Sequence, residues 1–135
     1  MSAMESDLAR QLEEQALRLI WSGTEWLDVK ALAVTFGHPP KLLLIWEAEL
    51  KLFSLQRDGS RMYPAYCFGD DGTPLPVIAE VQGVLNKRSP HGLAAWFEST
   101  SSFLGGARPR ELVGTKPNLV LAAARYHLEQ ELYAG

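Results

Sequence analysis

In the stretch SSFLGGARPRELV, two adjacent glycines, Gly105 and Gly106, stand before Arg108 and Pro109. Glycines next to a cation are the raw material of a phosphate-binding loop. Such a loop needs a strand before it and a Gly-Lys-Ser/Thr ending, so that backbone N–H groups and a lysine cradle the phosphates. The sequence upstream is helix-prone and the ending is absent. Backbone physics points instead to a tight corner between helices. Glycine takes a positive φ without strain, and Pro109 pre-sets the first turn of a helix PRELV. Leu104 would insert below this corner, which either is purely structural or presents Arg108 and Arg110 to a partner.

Other reactive side chains form no constellation. His38, His91 and His127 fall in three separate elements, and with the single Cys67 they give no zinc-type spacing. Cys67, beside Phe68, is expected to be a packed small residue. Asp70 and Asp71 lie in a glycine-flanked turn with too few oxygen ligands for calcium. Ser99 to Ser102 supply hydroxyls without an acid–base partner. The expectation is a protein that binds rather than catalyses, with no cofactor and no metal.

The chain has 135 residues, 47% of them apolar and 21% charged, the balance of one ordinary globular domain or two small units sharing a core. One cysteine permits no internal disulfide. The polar start MSAMESDLARQLEEQ lacks the pattern of a signal peptide, and no apolar run is long enough for a membrane span, so a cytoplasmic location is expected. A net charge of −3 disfavours a broad, non-specific nucleic-acid binder. Residues 26–68, with five basic and four acidic side chains, are the segment best suited to touch DNA.

The elements that must position these residues are mostly helices. Leu8, Leu12, Ala16 and Ile20 recur every four positions and predict a helix over 5–21. Asp28 is a good N-cap for a helix carrying Val29, Leu32, Ala33 and Phe36, which Gly37 ends. Pro39 and Pro40 suit the start of the next, through Leu43, Trp46 and Leu50. The short glycine-containing turn is helix-turn-helix spacing. Two β-prone runs around RDGS predict a hairpin, with Pro64 confining its second strand to an edge or a bulge. A helix-turn-helix followed by a hairpin is a winged-helix layout. There Lys41 would open the second helix, with Arg57 and Arg61 flanking the wing tip, within reach of DNA; the alternative is that the second helix packs inside, as part of a dimer or partner surface.

The stretch GDDGTPLP at 69–76 suggests a boundary, giving a winged-helix-like region at 1–72 and a helical partner-binding region at 73–135. Beyond it, three helices are predicted besides the short PRELV: one carrying Val77, Ile78, Val81, Val84 and Leu85, one after Pro90 with Leu93, Trp96 and Phe97, and a last from Pro117 to about Tyr133. The fold class is thus mainly α with a small β-hairpin.

AAWFESTSSFLGGARPRELV with KPNLVLAAA resembles the toxin-binding domain of the Xre/MbcA/ParS antitoxin family. Matching positions are Trp96, Phe97, Leu104, Gly105, Gly106, Arg108, Pro109, Glu111, Leu112 and Val120, within roughly residues 75–133. The first half looks more like a MerR- or excisionase-type element with a wing. The resemblance implies an antitoxin of a bacterial type II system that covers the active site of a RES-domain toxin, an NAD-consuming enzyme, and often represses its own operon as a dimer. The partner surface would then comprise Trp96, Leu104, Gly105, Gly106, Arg108, Pro109 and Arg110. The alternative is a stand-alone DNA-binding transcription regulator that dimerises through its C-terminal half.

Overall fold

Asp28 sets the first half of the fold. The computed structural model describes residues 3–134, and in it the Asp28 carboxylate accepts the Ala31 N–H at 2.7 Å, capping α2 (Val29–Phe36). Gly37, at φ 73°, closes that helix, and Pro40 opens α3 (Pro40–Ala48). Before them lie α1 (Ala3–Ser22) and β1 (Trp26–Asp28). After them come β2 (Leu55–Arg57) and β3 (Ser60–Pro64). Asp58 and Gly59 both take positive φ, at 52° and 79°, which is the turn that a two-residue hairpin favours.

The sheet is antiparallel with order β1-β3-β2. Its third strand, β1, is short and lies in WLD, which carried no alternation of its own. It corrects the expectation for Pro64. The strand bearing Pro64 is central, and the proline is tolerated because it is the last residue, paired with Trp26. The next N–H, from Ala65, resumes bonding to the Glu25 carbonyl at 2.9 Å. The order of elements in this half is helix–strand–helix–helix–hairpin, with one strand more than the expected hairpin.

The second half holds α4 (Pro76–Val84), α5 (Pro90–Glu98), the short α6 (Pro109–Leu112) and α7 (Pro117–Ala134). Their predicted apolar faces turn inward: Val77, Ile78 and Val81; Leu93, Trp96 and Phe97; Val120, Ala123 and Ala124 are all buried. The protein is therefore mainly helical, with one small sheet.

The packing runs across residue 72 without a break. One core cluster extends from Ile20 through Leu32, Leu43 and Tyr63 to Val81, Phe97 and Ala124. Phe97 of α5 stacks on Phe53 at 5.9 Å and meets Tyr66 at 4.9 Å. Gln82 of α4, itself buried, donates to the carbonyls of Leu50 and Leu52, both at 3.0 Å. This clasp holds the bend after α3, where Leu50 sits in the left-handed region at φ 61°. Leu50 is half-exposed as a result, not on the inner face of α3 as its spacing suggested. Helix α1 departs from expectation too. Of its predicted stripe only Ile20 is buried, because the helix continues beyond the body that its last turn touches. No helix among the described residues is long and apolar enough to cross a membrane.

Candidate functional site

The glycine corner is built from the end of α5 to the start of α6. After Ser99 and Thr100, a single 3₁₀ turn spans Ser102–Leu104. Gly105 and Gly106 follow at φ 69° and 92°. The Gly106 N–H donates to the Ser101 carbonyl at 2.8 Å, and the Ser101 N–H donates to the Ala107 carbonyl at 3.0 Å. Both glycines are exposed, and a Cβ at either would meet nothing. Their positive φ demands glycine, and the space above them stays open.

The predicted site residues divide into three groups here. Leu104, Pro109 and Trp96 are buried and form the floor. Gly105 and Gly106 form the open crest. Arg108 and Arg110 are half-buried and turned back toward the protein. The Arg108 backbone N–H donates to the Glu111 carboxylate at 2.8 Å at the start of α6, while its guanidinium donates to the Glu98 carbonyl oxygen. The Arg110 Nε–H lies 2.8 and 2.9 Å from the two Glu98 carboxylate oxygens. Sequence spacing presented both arginines outward; the geometry gives both to Glu98.

Glu98 is the residue that sequence reading missed. It is only 7% exposed, and its carboxylate also accepts the Thr24 hydroxyl at 3.2 Å. A charge this buried requires paired donors, and Arg110 and Thr24 supply them. Gly23 packs directly on the carboxylate, and a Cβ there would collide with it. The available signal was a carboxylate directly after the Trp-Phe pair, with two arginines ten and twelve residues on.

What the corner exposes is aromatic. Phe103, on the 3₁₀ turn, packs against Tyr126 of α7 with ring centroids 5.1 Å apart, and both rings are about 40% exposed. Exposed Leu119 lies on the same helix. Next to them is a cleft of about 180 Å³, lined by Ser99 to Ser102, Trp96, Tyr126 and His127. The surface thus combines an aromatic pair, an open glycine crest and a hydroxyl-lined cleft. Burying such a pair against another protein would be favourable, since aromatic anchors dominate interfaces.

In the first half only Arg61 is turned in this way, half-buried, while Arg57 and Lys41 are exposed. The Arg57 guanidinium lies 4.3 Å above the Trp21 ring. Arg61 reaches Glu47 at 3.5 Å. Glu47 also accepts from Ser54 at 2.5 Å and from the Tyr63 hydroxyl at 2.8 Å. Burial and the Glu47 carboxylate push the Tyr63 phenol well above its ordinary range, so it stays a donor. Lys41 is exposed in the first turn of α3. Beyond it, that face presents Leu44, Ile45 and Ala48 rather than further cations. A shallow groove between α2, the start of α3 and the hairpin is lined by Lys30, Arg61 and Asp28.

The histidines stay apart. His38 sits 2.6 Å from the Gly72 carbonyl, and His127 lies 2.6 Å from the Arg88 guanidinium, which also pairs with Glu131. Burial, then the Arg88 charge, lower the His127 pKa. Cys67 is fully buried, and burial pushes its thiol far up, away from the reactive thiolate. No group of three or more metal-ligating side chains occurs among the described residues. Comparison of the chain with protein-family models, with curated proteins and with solved structures finds no match.

Proposed function

We propose that this protein is an antitoxin-like binding protein that acts by covering a protein partner with its glycine corner. The observation that carries the reading is the exposed Phe103–Tyr126 pair beside an open Gly105-Gly106 crest. The aromatic rings would enter a recess on the partner, and the side-chain-free crest would let the two backbones approach. Arg108 and Arg110 have a positioning role, since their guanidiniums hold the corner to Glu98. The resemblance of the corner sequence to the antitoxin family names the partner class: a RES-type, NAD-consuming toxin.

A pull-down from the host with this chain as bait tests the reading. The expected result is a stoichiometric partner that destroys NAD once the bait is removed. Phe103→Asp should fail to retain or inhibit it while keeping the wild-type unfolding curve. A partner held equally by Phe103→Asp would overturn the surface; recovery of the bait alone would overturn the function.

The order of elements in the first half supports a second activity, operator binding, with Lys41 leading α3 and Lys30 and Arg61 lining the groove beside it. Lys41→Glu should then abolish a salt-sensitive shift of promoter DNA and leave partner binding intact. A regulator with no toxin is the remaining alternative, and promoter binding without any protein partner would favour it.

A further inference from the structure

Helix α1 has 20 residues, about 30 Å of length, yet only Ile20 is buried. The helix rests on the body through its last turn and projects beyond it. Met4, Leu8, Leu12 and Leu19 are 81%, 55%, 57% and 51% exposed. With Gln15 they fall on one stripe about 80° wide, turned well away from Ile20. Helices in proteins draw most of their stability from packing an amphipathic face, so an apolar stripe normally packs on something.

The sequence of the stripe points to its own copy. Its spacing is nearly symmetric about Leu12. In an antiparallel pair crossing there, Leu12 meets its counterpart, Met4 meets the second copy's Leu19, and Leu8 meets Gln15 and Ala16. The flanking charges agree with that direction. Asp7 and Arg18 lie on the same flank at nearly equal distances from Leu12, so each Asp7 faces the other copy's Arg18. Asp7 also accepts from Arg10 of its own helix at 2.7 Å. A parallel pair would bring the acidic beginnings together, Glu5 and Asp7 against Glu5 and Asp7, and would align rather than oppose the helix dipoles.

We infer that α1 is a dimerisation arm whose exposed Met4–Leu8–Leu12–Leu19 stripe pairs antiparallel with the same stripe of a second copy of this chain. This surface is distinct from the glycine corner and leaves it free. It does not depend on the toxin reading, because it is measured with the purified chain alone.

Sedimentation of the full chain at micromolar concentration is the first test. The wild type is expected as a dimer, and Leu12→Glu as a monomer, weakened more than about tenfold, with the cooperative melt of the body retained. Cysteine placement reads the direction, with buried Cys67 silent in the background. Leu12→Cys should form a disulfide-linked dimer on oxidation and Leu19→Cys should not, whereas Met4→Cys combined with Leu19→Cys should. Asp7→Arg or Arg18→Asp alone should weaken the dimer, and the two together should restore it. A monomeric wild type, a Leu12→Glu variant that remains dimeric, or cross-linking by Leu19→Cys alone would overturn the inference.

Discussion

Two carboxylates, one in each half, each hold one of the arginines that the sequence offered to a ligand: Glu47 holds Arg61 and Glu98 holds Arg110. Glu47, near the end of α3, takes Ser54, Tyr63 and Arg61, all within sixteen residues of it. Glu98, at the end of α5, takes Arg110 and, from 74 residues away, Thr24. The first network is local and shapes one hairpin against one helix. The second joins the root of α1 to the glycine corner. The same chemistry therefore serves a hairpin in one half and a junction between halves in the other.

The comparison can be broken most directly by removing the two carboxylates. Glu98→Ala should cost about 3 kcal/mol, since it leaves the half-buried Arg110 without its counter-charge. Glu47→Ala should cost about 2 kcal/mol, chiefly through the Tyr63 hydroxyl left without its acceptor. Urea unfolding measures both, and equal costs would erase the distinction between junction and hairpin.

A smaller effect sharpens it. Gly23→Ala pushes a methyl group into the Glu98 carboxylate. It should cost about 2 kcal/mol in the wild type and almost nothing once Glu98 is alanine, because the clash and the bonds it disturbs disappear together. Additive costs in the double variant would mean that Gly23 acts elsewhere.

The bend at Leu50 tests the other link between halves. Leu50→Gly relieves a left-handed backbone while the Gln82 clasp stays in place, so stability should rise by about 1 kcal/mol. A loss measured by thermal unfolding would show that the exposed Leu50 side chain contributes more than its strain costs.

The smallest expected effect is a pH dependence. The His127 pKa is lowered on folding, so the unfolded chain takes up its proton first as pH falls. Its contribution to stability is thus complete above the ordinary histidine range and is lost as pH falls through the lowered value. His127→Gln should flatten that part of the stability profile; an unaltered profile would assign the dependence to other groups.

The helices were legible in the sequence because their periodicity and their proline, aspartate and glycine boundaries agreed. The glycine corner was legible for the same reason, since glycine takes successive positive φ values with the least strain. Strand β1 was not, because three residues carry no period and its pairing depends on β3. The central place of Pro64 was hidden likewise, since a terminal strand residue needs no ladder donor when Ala65 supplies the next one. Burial along α1 was overestimated: an amphipathic stripe reports that something covers a helix, without saying that its own body does. Arg57, Arg61, Arg108 and Arg110 show the limit for site residues. Charge along the chain locates a cation, but its orientation is decided by carboxylates and rings that only the fold brings near.

The Thr24–Glu98 bond also orders events in time. A chain made from its N-terminus exposes the root of α1 long before the segment that receives it is synthesised, for Glu98 and Arg110 follow Thr24 by 74 and 86 residues. Until then the first half lacks the aromatic support of Phe97 and the clasp of Gln82. During synthesis the nascent chain thus carries an amphipathic arm on an incomplete core until the segment bearing Glu98 and Arg110 follows.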